Sequence, residues 1–410
     1  MVIGRTCRLC GTILQRTFVD LGMSPLCESY LTQDMLDAPE TFYPLHVLIC
    51  DECLLVQLPA YVSGEEIFSD YAYFSSYSTS WVEHARRYAS EMTSQLGLGA
   101  GSLVTEVASN DGYLLQHFHA RGIPVLGIEP AANVAKVAVS RGITSVVRFL
   151  GAESGAQIAA EHGQADLVAG NNVFAHTPDI RGFAAGLRAL VKDNGLVTLE
   201  FPHLLRLIEG RQFDTIYHEH FSYLSLLTAS RALDSAGLTV TDVRELPTHG
   251  GSLRVHARPA ESAGEPSERL RAVLAAEQAA GLHATSGHAG FARDVLAIKK
   301  DLLSFLIGAA ADGKSVAGYG APGKGNTLLN HCGIRSDLLS YTVDRSPHKQ
   351  GMFLPGTHIP IYPPEKLAET RPDYVLVLPW NLREEITRQL EYTRSWGARL
   401  VFPIPALDVA

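Results

Sequence analysis

Short β-branched runs alternate with helical patterns twice over in this 410-residue chain, and that alternation constrains its fold more than any other feature. From Leu103 to about residue 258 the runs are Leu103-Val-Thr-Glu-Val, Val125-Leu-Gly-Ile, Leu167-Val-Ala-Gly and Leu196-Val-Thr-Leu. Helical patterns of about 10 to 15 residues separate them, and parallel strands need such crossovers, so a doubly wound α/β domain is expected here. The alternation restarts with Ser315-Val-Ala-Gly, Ser340-Tyr-Thr-Val, Tyr374-Val-Leu-Val-Leu and Leu400-Val-Phe, which predicts a second nucleotide-type α/β fold.

Composition narrows the class further. With 46% hydrophobic and 19% charged residues, disorder, collagen and coiled coil are excluded. A formal charge of −9 argues against nucleic acid as a partner, because phosphate binding needs a basic face. No stretch reaches 18 apolar residues, and the start of the chain lacks a basic and then apolar run, so a cytoplasmic protein without a membrane partner is expected. The composition zones predict a cysteine-bearing domain over 1–73, an α/β domain over 74–258, a helical connector over 259–300 and a second α/β domain over 301–410.

Cys7-Arg-Leu-Cys10 and Cys50-Asp-Glu-Cys53 form two C-x-x-C knuckles. Tetrahedral zinc takes four thiolates, and each knuckle puts two sulfurs on one side of an ion, so Cys7, Cys10, Cys50 and Cys53 are the expected ligands of a structural Zn²⁺. Cys27 and Cys332 read as plain buried residues. Residues 1–75 carry three arginines against ten acidic residues, a surface that repels phosphate backbones. The metal is expected to staple a small domain that covers a site.

The first strand of the middle domain runs into a small-residue turn, Ala108-Ser-Asn110-Asp111-Gly112, and then an apolar helix start. Such a turn lets backbone N–H groups approach a ligand, and Glu106 before it with Glu129-Pro130 after the next strand reads as an adenosyl site. Carboxylates this close suit a cationic cofactor, whereas a plain helix N-cap by Asn110 or Asp111 is the structural alternative. After the third strand, Asn171, Asn172 and His176 stand at the carboxyl edge, where open α/β sheets bind ligands.

Tyr217-His218-Glu219-His220 is the densest set of proton-handling groups in the chain. Its histidines are two apart, so the H-E-x-x-H metal pattern is absent. In a strand Tyr217 and Glu219 would face away from His220; a loop would let all three converge. A histidine can take a proton from carbon beside a carbonyl, with a carboxylate or phenol holding its tautomer or the enolate.

Gly318-Tyr-Gly320-Ala-Pro-Gly323-Lys324-Gly325-Asn326 matches G-x-G-x-x-G after a strand, with Asp344 ending the next strand. Lys324 and the turn amides are expected to cradle a pyrophosphate, and an NAD-dependent oxidoreductase remains an alternative. A non-catalytic zinc scaffold is a further one, which would bind no adenosyl ligand.

The order of Cys7-x-x-Cys10, Cys50-x-x-Cys53, Ser109-Asn-Asp-Gly112, Glu129-Pro130, Asn172 to His176, Tyr217-His-Glu-His220, His249-Gly-Gly251 and Gly318-Tyr-Gly320 resembles the sugar C-methyltransferases of deoxysugar biosynthesis, across essentially the whole chain. Ala108 stands where the S-adenosylmethionine loop of class I methyltransferases usually has glycine. The resemblance implies an N-terminal zinc domain, a middle S-adenosylmethionine domain of class I Rossmann-like fold and a C-terminal Rossmann-like domain that helps hold a dTDP-linked 4-keto-6-deoxy sugar. It implies His220 as general base, with Tyr217, Glu219 and His176 at the reacting centre. Tyr71 or Tyr73 would enter from the zinc domain, and Gly320, Lys324 and Asn326 would serve the substrate. The expected cofactor contacts are Glu106, Ala108, Asn110, Asp111, Gly112, Glu129, Pro130, Asn171 and Asn172. The expected reaction is C-methylation at C3 through an enolate, and a non-sugar keto or enol acceptor is the alternative.

Overall fold

A computed structural model describes residues 5–68 and 74–410 of the chain. The chain forms two units, each threaded from three pieces. One holds the stretch up to Gln15, Cys50–Leu204 and Glu219–Thr285; the other holds Arg16–Ile49, Leu205–His218 and Ser286–Ala410. Residues 16–49 therefore group with the C-terminal α/β sheet, although they lie between the two cysteine pairs.

The first unit is built on a seven-stranded sheet ordered Leu238–Leu246, Ser252–Pro259, Val191–Pro202, Ala165–Asn171, Val104–Val107, Val125–Ile128, Ser145–Val146. The strands from Val191–Pro202 to Ser145–Val146 are parallel, and Ser252–Pro259 runs antiparallel to both of its neighbours. Parallel strands covered on both faces need unbroken apolar runs, and all four residues of Val104–Val107 are buried. Thr105 and Glu106 are the polar exceptions among them, and Glu106 alone is ionisable. One face carries the helix Thr79–Leu96, started by the Ser78 hydroxyl, which accepts from the Trp81 amide, and ended by left-handed Gly97. Its buried Ala85, Tyr88, Ala89 and Met92 fall at helical spacing and pack with Val104, Leu115, Phe118 and Leu167.

Strand Val104–Val107 has its sequence successors on opposite sides, Val125–Ile128 on one and Ala165–Asn171 on the other. Its carboxyl end is thus a topological switch point, where such sheets open a crevice. Within the same unit, the two-residue strand Val56–Gln57 pairs with Ser222–Tyr223.

The second unit carries a six-stranded sheet in the order Ile361–Tyr362, Thr342–Val343, Val316–Tyr319, Tyr374–Val377, Arg399–Phe402, Asp408–Val409, parallel except for the last strand. The hairpin Arg16–Ser24 with Tyr43–Ile49 belongs to it, and Phe18 stacks on Phe291 of the helix Phe291–Ala311 at 4.7 Å. Among the described residues, no helix is long and apolar enough to cross a membrane.

Candidate functional site

Four sulfurs converge in the first unit. Those of Cys7, Cys10, Cys50 and Cys53 all lie within 4.8 Å of one another, with Cys7 and Cys53 at 3.4 Å and Cys10 and Cys50 at 3.5 Å. Tetrahedral zinc with Zn–S bonds near 2.3 Å sets its sulfurs about 3.8 Å apart, so this donor set fits the metal. Gln57 donates its side-chain amide to the Cys7 sulfur (3.1 Å), a contact that orients a ligand from outside the first ring of donors. Buried Cys27 and Cys332 stand apart from this group, as expected.

At the switch point, Ala108, Asn110 and Gly112 all take left-handed φ values of 55°, 49° and 80°. Ser109, Asn110 and Asp111 in this turn are all buried. Glu129 fixes the turn: one carboxylate oxygen accepts from the Asn110 amide and the other from the Ala131 amide just past Pro130, each at 2.9 Å. Asn110 does not cap a helix. Its side-chain oxygen accepts from the Ser75 amide at 2.8 Å, and the helix Leu115–His119 starts without a side-chain cap. Asp111 turns to Arg141, 3.3 Å away.

Glu106 is fully buried, and neither carboxylate oxygen finds a hydrogen-bond partner of normal geometry. Burial holds its carboxyl well above the usual range, offset in part by the Tyr113 hydroxyl. A buried, unsatisfied acid is costly unless a ligand completes it, and a cation would suit it best. Asn171 donates to the Tyr113 hydroxyl (3.1 Å), and Asn172, at φ 52°, donates its backbone N–H to the Glu200 carbonyl (2.7 Å). These residues fit an adenosyl cofactor that carries positive charge.

The chain leaves Asn172 into a short turn, Phe174–His176. The Phe221 amide donates to the Ala175 carbonyl at 2.8 Å and so draws the segment after His220 against this turn. As a result the His176 and His220 rings meet edge to face, 4.7 Å between centroids and perpendicular. Phe68 lies 5.5 Å from His176, and Tyr223 lies 6.3 Å from His220. Burial first, then the neighbouring His220 and His249, hold His176 well below its ordinary pKa, which keeps it neutral at pH 7. Residues 218–219 form a turn, not a strand, and Glu219 and His220 are buried in the first unit. Tyr217 and His218 fall in the second, where the His218 ring nitrogen lies 3.3 Å from the Pro44 carbonyl. Tyr71 and Tyr73 lie outside the described residues.

The glycine-rich turn of the second unit differs from its expected role. The Ala321 amide donates to Asp344 (2.7 Å), the Gly323 amide to Glu28 (3.0 Å) and the Gly320 amide to the Val343 carbonyl (2.7 Å). Lys324 donates to the Asn381 side chain (3.0 Å) and sits 5.3 Å from the Trp380 ring centre, while the Asn326 side chain donates to the Cys27 carbonyl (2.6 Å). The amides expected to cradle a pyrophosphate are thus taken, two of them by carboxylates that would repel it. That arrangement weighs against the cradle on which the NAD-dependent alternative rests.

Sequence reasoning missed Glu200, Arg254 and His84 as parts of the site, and singled out His249 only within the His249-Gly-Gly251 motif. Glu200 and Arg254 are directly opposite on antiparallel strands, and each is a charge flanked by apolar neighbours, a readable signal once the pairing is known.

Comparison with known proteins identifies the family. Three family models match: one described as "Putative zinc binding domain" over residues 7–68, one as "Methyltransferase domain" over 81–243, and one as "C-methyltransferase C-terminal domain" over 247–405. The C-methyltransferase NovU of Streptomyces niveus is 38% identical over 399 residues, spanning 97% of this chain and 95% of that protein. Among solved structures, magnesium protoporphyrin IX methyltransferase from Synechocystis PCC 6803 with bound SAM shares 17% identity over 43% of this chain and 78% of its own (TM-score 0.32). The glycopeptide N-methyltransferase MtfA shares 16% over 42% of this chain and 95% of its own (TM-score 0.34). With a four-cysteine zinc centre, a methyltransferase sheet opening on an acid-lined turn, and near full-length identity to a C-methyltransferase, the chain belongs to the zinc-containing, S-adenosylmethionine-dependent C-methyltransferases.

Proposed function

We propose that this enzyme methylates C3 of a dTDP-linked 4-keto-6-deoxy sugar, through an enolate made by His220. The observation that carries the reading is the perpendicular His176–His220 pair, close after the carboxyl end of strand Ala165–Asn171. S-adenosylmethionine, when bound, supplies an electrophilic methyl group to a carbon nucleophile. Glu106, Ala108, Asn110, Asp111, Gly112, Glu129, Pro130, Asn171 and Asn172 would hold it, the buried Glu106 carboxylate offsetting its positive charge. His220 accepts the proton α to the ketone, because carbon, unlike most oxygen acceptors, must lose a weakly acidic proton before it can attack. His176, kept neutral, can donate a hydrogen bond without competing for that proton. Glu219 and Tyr217 are assigned to steady the imidazole and the enolate oxygen, and Tyr71 or Tyr73 to close on the acceptor. The division of labour we assign follows the regions 1–73, 74–258, 259–300 and 301–410; family matches over 7–68 and 81–243 fall within the first two, and the third, 247–405, starts inside the second and runs unbroken across the last two.

The test is mass spectrometry of the purified protein with methyl-labelled cofactor and a panel of dTDP-keto sugars, alongside His220→Ala. We expect one labelled methyl at C3. In the variant, kcat should fall by about 10²–10⁴-fold with calorimetric S-adenosylmethionine affinity intact. Full activity in the variant removes His220 from the base role, and labelling only of a non-sugar keto or enol compound replaces the sugar.

A further inference from the structure

Beyond the residues that the reaction itself calls for, a third imidazole reaches this cluster. Thr248, His249 and Gly250 form a tight turn between strands Leu238–Leu246 and Ser252–Pro259, with His249 at φ 55°, Gly250 at 87° and Gly251 at 120°. Left-handed backbone is freely available to the two glycines but disfavoured for a histidine, whose conformation the surrounding contacts hold.

The contacts are present. The Thr248 hydroxyl donates to one oxygen of Glu200 (2.9 Å), while the Gly251 amide and the Ser252 hydroxyl both donate to the Thr248 carbonyl (2.9 Å each). The other Glu200 oxygen accepts from Arg254 (2.6 Å) and lies 2.9 Å from the His84 ring nitrogen. Glu200 has no exposed surface, and Arg254 lies over the Tyr88 ring at 4.4 Å. Trp81 stacks on His84 (5.0 Å) and meets His249 edge-on (5.4 Å), so the same network supports the imidazole from the side. Through its backbone carbonyl, Glu200 also holds the Asn172 turn that leads to His176. One residue thus anchors both loops, by main chain on one side and by side chain on the other.

We propose that Glu200 and Thr248 are positioning residues that act through His249, setting the imidazole that completes the His176–His220 cluster. Neither needs to touch the acceptor. His249 and His220 both act electrostatically on His176, and the Phe68 ring meets His176 edge-on at 5.5 Å. This inference rests on the proposed reaction for its kinetic consequence but not for its structural one.

The experiment compares Thr248→Val, Thr248→Ser, His249→Ala and the double variant Thr248→Val/His249→Ala in the full-length, zinc-loaded protein. Steady-state kinetics are read with the acceptor identified above, and the spectrum of ¹³Cε1-histidine-labelled protein is read with S-adenosylmethionine and no acceptor. Thr248→Val and His249→Ala should each lower kcat roughly tenfold with KM for S-adenosylmethionine within about twofold, as expected for loss of an interaction made only in the transition state. Thr248→Ser should retain wild-type rates. In the double variant the loss should be no greater than in His249→Ala, because the tether works through that ring. The His176 resonance should move in the same direction in Thr248→Val and His249→Ala. Undiminished kcat in Thr248→Val, multiplying losses in the double variant, or a stationary His176 resonance overturns the proposal. Should the wild type methylate no acceptor in the panel, the assigned reaction fails while the resonance comparison still decides the tether.

Discussion

The left-handed φ values of Ala108, Asn110 and Gly112 explain both what the sequence showed at the cofactor turn and what it hid. Small residues after an apolar strand announce a turn, and glycine at the third of these positions needs no excuse. An alanine with φ of 55° does, since an L-residue there costs roughly 1–2 kcal/mol. Ala108→Gly should therefore raise stability by up to about 1 kcal/mol, once the greater freedom of glycine in the unfolded chain is subtracted; the urea midpoint reports it, and a fall would show the turn is not strained. Gly127 is the opposite case. A Cβ there would stand 2.5 Å from the Ser109 hydroxyl and 2.8 Å from that of Ser145. Gly127→Ala should cost about 1–3 kcal/mol and weaken S-adenosylmethionine at least tenfold by calorimetry, since the displaced Ser109 belongs to the turn. His176 carries a pH signature as well. Its folded pKa lies well below 6.5, so between those values the unfolded chain binds a proton that the folded chain refuses. Stability should drop as pH falls from 7.5 to 5.5, and His176→Gln should drop less steeply over the same range.

At the scale of elements, the parallel strands were legible because burial on both faces demands continuous apolar runs, and the cysteine knuckles because four thiolates at that spacing have few other uses. The pairing of Val56–Gln57 with Ser222–Tyr223 was not, since a two-residue strand has no periodicity and its partner lies about 165 residues away. That small ladder ties the zinc centre to the segment just after His220. Arg8, between two zinc ligands, lies 5.5 Å over the Phe221 ring, and Arg231 donates to the Cys53 carbonyl (2.9 Å). Cys50→Ser should therefore lose its zinc by metal analysis and at least tenfold in kcat, with S-adenosylmethionine affinity changed less than about threefold. Zinc retained at one per chain would refute the four-cysteine assignment. The helical region after residue 259 was read as helix and little more; in the structure, Glu277 of Glu268–Ala279 is fully buried and accepts from His203 (2.7 Å) and from the Leu227 amide (3.1 Å), which starts the helix Leu226–Asp234. No periodicity marks such an acid, because it answers a helix end some fifty residues earlier in the chain.

For the whole molecule, the number of α/β sheets was readable from the alternation, whereas the threading was not, because composition zones follow the order of the chain and packing does not. The second unit draws on Arg16–Ile49 and Leu205–His218 as well as on everything after Ser286. Phe18 stacks on Phe291, Trp380 donates to Asp214 (2.6 Å) and Thr327 to the Ile216 carbonyl (2.9 Å). A fragment of residues 286–410 forfeits each of these contacts and should show no cooperative thermal transition by circular dichroism, while the full chain does; a sharp transition in the fragment would show that the two earlier pieces are dispensable.

The same interleaving sets the terms for anyone hoping to transplant acceptor preference between relatives. Because the polypeptide passes from one body to the other five times, a single crossover anywhere between Arg16 and Thr285 hands each body a mixture of parental segments. A chimera that respects this architecture exchanges three separated cassettes at once, and the shortest of them, fourteen residues from Leu205 to His218, ends immediately before Glu219 and His220.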